Sequence, residues 1–100
     1  MSDHRYRISK KAIDDLEKIW IYTYHKWSKK QADRYHGLII GEIEFIASNQ
    51  EIGKSIDATR KNYRFTQIKS HLVFYKCVEN QTVEIVRILH QRMNIKKHLG

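Results

Sequence analysis

One hundred residues carrying 19 Lys and Arg against 11 Asp and Glu, a net charge of +8, describe one small basic domain over 1–100. A chain this short buries about two-thirds of the surface its unfolded form exposes, so it has one modest core and little room for a deep pocket. No run of about 18 apolar residues could cross a membrane, the opening Met-Ser-Asp-His-Arg-Tyr-Arg lacks the apolar centre of a signal peptide, and a single cysteine, Cys77, excludes an internal disulfide and a cysteine-based zinc cluster.

The expectation is a cytoplasmic protein with no membrane segment. The excess positive charge favours an acidic partner, whether nucleic acid, an acidic protein segment or an anionic surface.

Arg5 to Ile8 alternates basic and apolar residues, which predicts a short edge strand. Ser9 is a good N-cap for a helix over Lys10–Trp27, where Ala12, Leu16, Ile19, Trp20, Thr23 and Trp27 recur at three- and four-residue steps and make one apolar stripe. Asp14, Asp15 and Glu17 lie in its early turns, where negative charge suits the helix dipole.

Ser28-Lys29-Lys30-Gln31 reads as a capping box, so a second helix starts almost at once and the pair forms an antiparallel hairpin. This helix, Lys29–Ser48, turns Ala32, Tyr35, Leu38, Ile39, Ile43 and Ile46 inward, with Glu42 among them. Gly37 and Gly41 each cost about 1 kcal/mol of helix propensity. They either admit close approach of the other helix or are tolerated.

Residues 49–60 are a polar connection with Gly53 as a turn point. Strands follow at Asn62–Lys69, His71–Glu79 and Val83–Leu89, the second and third joined by a tight hairpin in which Asn80 tolerates positive φ. The last strand is the centre of the sheet. Five of its seven residues are β-branched or leucine, and apolar side chains fall on both parities, so both faces are covered.

A two-residue loop at Asn80-Gln81 sets a register. Glu79 opposes Thr82, Cys77 opposes Glu84, Tyr75 opposes Val86, Val73 opposes Ile88 and His71 opposes His90. On the other face Lys76 meets Ile85, Phe74 meets Arg87 and Leu72 meets Leu89. Val73, Tyr75, Val86 and Ile88 then pack on the helices. Phe74, Lys76 and Arg87 form a mixed apolar and basic face, suited to an open groove for something acidic and partly apolar. After His90 comes a short basic tail with Arg92, Lys96, Lys97 and His98.

Several segments in this order carry a resemblance: Arg-Ile-Ser-x-x-Ala-x-x-Asp-Leu-x-x-Ile from Arg7 to Ile19, Tyr24-x-x-Trp27, Gln31-Ala32-x-x-Tyr35, Arg64, His71-Leu-Val-Phe-Tyr75 and Val86-Arg-Ile-Leu-His-Gln-Arg-Met93. The ordered set, from about Tyr6 to Leu99, resembles the ParE branch of the ParE/RelE toxin superfamily. Ser28, Gln50 and Asn94 depart from the usual glycine, proline and aspartate of that pattern.

The resemblance implies an α+β, RelE/ParE-like fold ordered β-α-α-β-β-β, with an N-terminal helical hairpin packed on a small antiparallel sheet. It implies a toxin of a type II toxin–antitoxin pair that poisons DNA gyrase without chemistry or cofactor of its own. A ParD-like antitoxin would neutralise it in a hetero-oligomer. Antitoxin contacts are expected at Trp20, Tyr24, Trp27, Arg60, Arg64, Phe74, Lys76 and Arg87. Toxicity is expected to reside in His90, Arg92, Met93, Lys96 and Lys97.

The alternatives are a RelE-like, ribosome-dependent RNA cleavage and a non-toxic homologue that still binds antitoxin. RNA cleavage would cast Arg64, Arg87 and His90 as phosphate-binding cations and acid–base group. The C-terminal tail, however, holds no tyrosine of the kind RelE-like members place there. His71 and His90 meet across the hairpin as in the start of a metal site, but no third ligand is evident.

Overall fold

The computed structural model describes residues 5–79 and 81–99. The chain runs β1 (Arg5–Ile8), α1 (Lys10–Lys26), α2 (Lys29–Ser48), β2 (Lys54–Ser55), β3 (Arg64–Ile68), β4 (His71–Glu79), β5 (Thr82–His90) and α3 (Ile95–Leu99). It is the expected α+β arrangement with two additions: a two-residue strand in the polar connection and a five-residue helix in the basic tail. Among the described residues no helix is long and apolar enough to cross a membrane.

Ser9 turns the chain from strand to helix. Its hydroxyl accepts from the Ala12 amide at 3.0 Å and donates to the Val86 carbonyl at 2.9 Å, so one side chain caps α1 and ties it to β5. Ser28 caps α2 in the same way, accepting from the Gln31 amide at 3.1 Å. The inner stripe holds through the first half of α1, where Ala12 and Leu16 are buried, and then lifts off the sheet: Trp27, expected inside, is 68% exposed. Leu38 of α2 is likewise exposed. Gly37 and Gly41 face open space, with nothing within 4 Å of where a Cβ would stand, so close helix approach is not their role.

The sheet order is β1-β5-β4-β3-β2, with β5 flanked on both sides. All pairs are antiparallel except β1 with β5, which is parallel, with the helical hairpin and three strands between them in the chain. Opposite the turn the expected register is present: His71 faces His90, Leu72 faces Leu89, Val73 faces Ile88 and Phe74 faces Arg87, and Glu79 faces Thr82 at the turn itself. Asn80 lies outside the described residues; the positive φ of this turn falls on Gln81, at 64°.

Between these ends two irregularities shift the pairing by one, so Tyr75 faces Ile85, Lys76 faces Glu84 and Cys77 faces Val83. Three expectations are corrected as a result. Ile85, not Val86, packs under the helices; Cys77 does not oppose Glu84; and Lys76 meets a carboxylate rather than an isoleucine. Alternation from a two-residue turn cannot foresee a bulge, because one extra residue inverts every later side chain.

Each face of the sheet has its own apolar cluster. Under the hairpin, Ala12, Leu16, Ile39, Ile43 and Ile46 meet Val73, Tyr75, Val83, Ile85 and Ile88. On the opposite face Leu72, Phe74 and Leu89 meet Leu99, with Ile56, Tyr63, Phe65, Val86 and Ile95 packed around them. That second face was expected to be open. It is not, because α3 lays Ile95 and Leu99 across it and Phe74 is fully buried.

Candidate functional site

The parallel pairing of β1 ends at Ile8 beside Ile85. The next outward-facing amide of β5, that of Ile88, has no strand to bond. Asp15 of α1 takes that place, its Oδ2 accepting from the Ile88 amide at 2.9 Å. The same carboxylate accepts from Arg87 Nε at 2.8 Å and Nη2 at 2.9 Å, a bidentate pair with both side chains mostly shielded from water. Arg87 Nη1 reaches on to the His98 carbonyl at 3.4 Å. A helix, the central strand and the C-terminal helix are thereby joined through one guanidinium. Asp15 holds the Arg87 charge in place, its hydrogen bonds being the larger cause and its negative charge a further one.

Arg87 was expected to meet an antitoxin carboxylate, and here its fork is filled from within the chain. In sequence Asp15 is one of three acidic residues in the early turns of a helix. Yet it is the sixth residue of α1 and lies on the stripe between Ala12 and Ile19, where a carboxylate must be paired to be tolerated. That signal, set against an arginine in a core strand, would have found the pair.

Where the helices overhang the end of the sheet, a groove of about 1050 Å³ opens. One wall is α1, with Lys18, Ile19, Tyr22 and Lys26, and Trp27 follows at its end. The second is α2, with Arg34, Tyr35 and Leu38. The third is the β3–β4 turn and the end of β5, with Lys69, His71, His90 and Met93. His71 and His90 meet edge to face, ring centres 5.3 Å apart, as their predicted opposition requires. The Tyr35 hydroxyl lies 2.7 Å from His71 Nδ1 and 3.3 Å from the Ile68 carbonyl. Burial first, and then the neighbouring His90 imidazole, hold His71 down to about 4, against a smaller opposite pull from Asp15. His90 Nδ1 accepts from the Arg92 amide at 3.1 Å, which turns the other ring nitrogen away from the backbone. Among the described residues no group of three or more His, Cys, Asp or Glu draws together as a metal site.

The remaining expected residues fall in separate places. Trp20 and Tyr24 stack, centres 5.3 Å apart and 7° from parallel, and the Trp20 indole donates to Asp33 at 2.9 Å. Arg60 and Lys76 both lie over the Tyr63 ring at the far end of the sheet, at 5.3 and 5.6 Å, and Lys76 also approaches Glu84 at 3.8 Å. Arg64 donates to the Gly53 carbonyl at 2.7 Å and pins the polar connection. Arg92, Met93, Lys96 and Lys97 are exposed in one run after β5. The residues cast for RNA cleavage are each held elsewhere: Arg64 on a loop carbonyl, Arg87 on Asp15, His90 against His71. The cations of the groove, Lys18, Lys26, Arg34 and Lys69, do not group in the sequence; they sit on three separate stretches, α1, α2 and the β3–β4 turn, that only the fold brings together.

The fold is shared with a solved structure of a chromosomal ParDE toxin–antitoxin system from P. aeruginosa, which superposes with a TM-score of 0.73 at 17% identity, over 86% of this chain and 94% of that one. The chain belongs to the ParE toxin family of type II toxin–antitoxin systems, parDE, which it matches over residues 6–95. It is 38% identical over 95 residues to the ParE1 toxin of Mycobacterium tuberculosis and 40% identical over 95 residues to the ParE1 toxin of Caulobacter vibrioides. Each of those alignments covers 95% of this chain and 97% of the relative.

Proposed function

We propose that this toxin acts in the cytoplasm as a poison of DNA gyrase, blocking replication until a ParD-like antitoxin captures it in a hetero-oligomer. The observation that carries the reading is the exposed run after β5, on a chain of the ParE family. Arg92, Met93, Lys96 and Lys97 stand in water in sequence, while His90 anchors the run to the groove. A basic, partly apolar projection of this kind suits a surface contact with a large enzyme–DNA complex.

The antitoxin has two exposed surfaces to hold. One is the aromatic end of the hairpin, with Tyr24 and Trp27 exposed and Trp20 half-buried. The other is the Arg60–Tyr63–Lys76 cluster at the far edge of the sheet. A segment that touches both must wrap the toxin, which suits a flexible, acidic and apolar arm. Phe74 contributes to neither unless α3 moves, and Arg87 contributes only by exchanging Asp15 for a carboxylate of the partner.

The test is a supercoiling assay with purified gyrase, ATP and relaxed plasmid, titrating the toxin with and without antitoxin. Loss of supercoiling with trapped cleaved DNA, reversed by antitoxin, is the expected result. Unimpeded supercoiling at stoichiometric excess removes gyrase as the target.

A further inference from the structure

The groove beside the hairpin overlaps the antitoxin and gyrase readings only at Trp27, His90 and Met93, and most of its lining serves neither. Four of its residues are cations, Lys18, Lys26, Arg34 and Lys69, and none is a carboxylate. Five carry rings, Tyr22, Trp27, Tyr35, His71 and His90, while the larger aliphatic and thioether side chains are three, Ile19, Leu38 and Met93. Trp27 is 68% and Tyr22 62% exposed, an unusual state for rings this large unless a partner covers them.

We propose that this groove binds single-stranded nucleic acid, with bases stacking on its rings and phosphates following its cations. The cations come from α1, α2 and the β3–β4 turn, so positive charge borders the groove from separate walls. A backbone threading the groove therefore meets a cation from each wall, which is the arrangement that sequence-tolerant single-strand binders share. An acidic amphipathic helix fits less well: its affinity comes from aliphatic anchors in matching sockets, and here rings and cations outnumber aliphatic groups nine to three. Duplex DNA offers no unstacked base to the rings and reads only the charge.

The groove shares His90 and Met93 with the stretch assigned to toxicity. A strand lying in it would place nucleic acid against the surface that contacts the poisoned enzyme. The site goes beyond the gyrase reading and does not depend on which enzyme is the target.

Fluorescence anisotropy with a labelled twelve-residue oligothymidylate tests it on the whole chain. With four phosphate contacts, affinity should fall about 20-fold between 50 and 150 mM salt, following a slope of about −0.7 per contact. The double variant Arg34→Gln with Lys69→Gln should weaken binding at least tenfold at 50 mM salt. The control pair Lys11→Gln with Lys61→Gln, equal in charge and outside the groove, should change it less than twofold. Trp27→Ala should weaken the single strand and leave the weak binding of a duplex unchanged. In a Trp20→Phe background, Trp27 fluorescence should quench on addition of the oligonucleotide.

All of these substitutions except Trp20→Phe lie at exposed positions, and circular dichroism checks that each variant folds. Equal losses for groove and control pairs, or a duplex bound as tightly as the single strand, would reduce the interaction to bulk charge and overturn the proposal. A glutamate- and leucine-rich peptide that quenches Trp27 where the oligonucleotide does not would assign the groove to an acidic protein and overturn it as well. Oligonucleotide binding in the groove together with unaffected gyrase would leave this site standing and remove only the gyrase reading.

Discussion

The Asp15 carboxylate fills a gap in the sheet and a guanidinium fork at the same time. It accepts from the Ile88 amide and from two nitrogens of Arg87, across 72 and 73 residues of sequence. Each partner makes the other affordable in a shielded site. A carboxylate facing β5 alone, or an arginine in a core strand alone, would lose hydration without compensation.

Asp15→Ala should therefore destabilise by about 3 kcal/mol, because it strands Arg87 and leaves the Ile88 amide without an acceptor. Arg87→Met should be milder, since the carboxylate keeps the Ile88 amide. The double variant should be less damaging than the sum, because neither charge is left unpaired. Urea unfolding of the four proteins gives the cycle. Additive losses would show that the two side chains stabilise independently.

Tyr75 and Gly53 form a second knot. The buried Tyr75 hydroxyl donates to the Gln50 carbonyl at 2.8 Å and accepts from the Gly53 amide at 2.9 Å. A Cβ on residue 53 would stand 2.6 Å from that oxygen and 2.9 Å from the Phe65 carbonyl. Tyr75→Phe should lose about 2 kcal/mol, as two backbone groups are left unsatisfied. Gly53→Ala should lose a similar amount through overpacking, and adding Tyr75→Phe should relieve only part of it, because the Phe65 carbonyl remains. Thermal unfolding of the single and double variants separates the two causes.

Much of this architecture is legible because local signals agree. Ser9 and Ser28 start the helices where capping chemistry puts them, and the His71–His90 pair meets as alternation from the turn requires. Irregular and long-range features were hidden. The shift at Tyr75 exchanges Val86 for Ile85 under the helices, and no composition marks it. The covering of Phe74 depends on Ile95 and Leu99, two apolar residues in a tail whose charge dominates its reading. The groove exists only once the last turn of α1 overhangs the end of β5, so its cations could not be grouped from their sequence positions.

Stability should fall on mild acidification, and His71 supplies part of the fall. Unfolded, its imidazole takes a proton near pH 6.5; folded, burial and His90 delay this to about 4. The unfolded state thus binds the proton first. The stabilisation is complete above about pH 6.5 and is lost as pH drops from there through 4. His71→Asn should flatten the change in urea midpoint between pH 7 and pH 5. An unchanged slope would place the acid sensitivity in other groups.

Gly37 and Gly41 should be improvable. Both lie inside α2 with open space around the missing Cβ, so alanine adds no clash and restricts the unfolded chain. Each Gly→Ala change should add about 0.7 kcal/mol, within the range for such helix sites. A loss of stability in both would mean that a neighbouring chain packs against this face in solution, which sedimentation would reveal.

The C-terminal run can be separated from the fold that carries it, provided the right change is made. Deleting residues 94–100 removes Leu99, whose side chain covers Leu72, Phe74 and Leu89, so the truncation should bind a hydrophobic dye and lose stability as well as toxicity. Reversing charge at Arg92, Lys96 and Lys97 leaves that apolar contact in place, because all three side chains face water. The triple Glu variant should unfold within about 1 kcal/mol of the parent, the range for exposed sites. It should still bind antitoxin through the hairpin aromatics and no longer arrest growth when expressed alone. Full growth arrest by that variant would move the toxic surface off this run and onto the groove walls at His90 and Trp27.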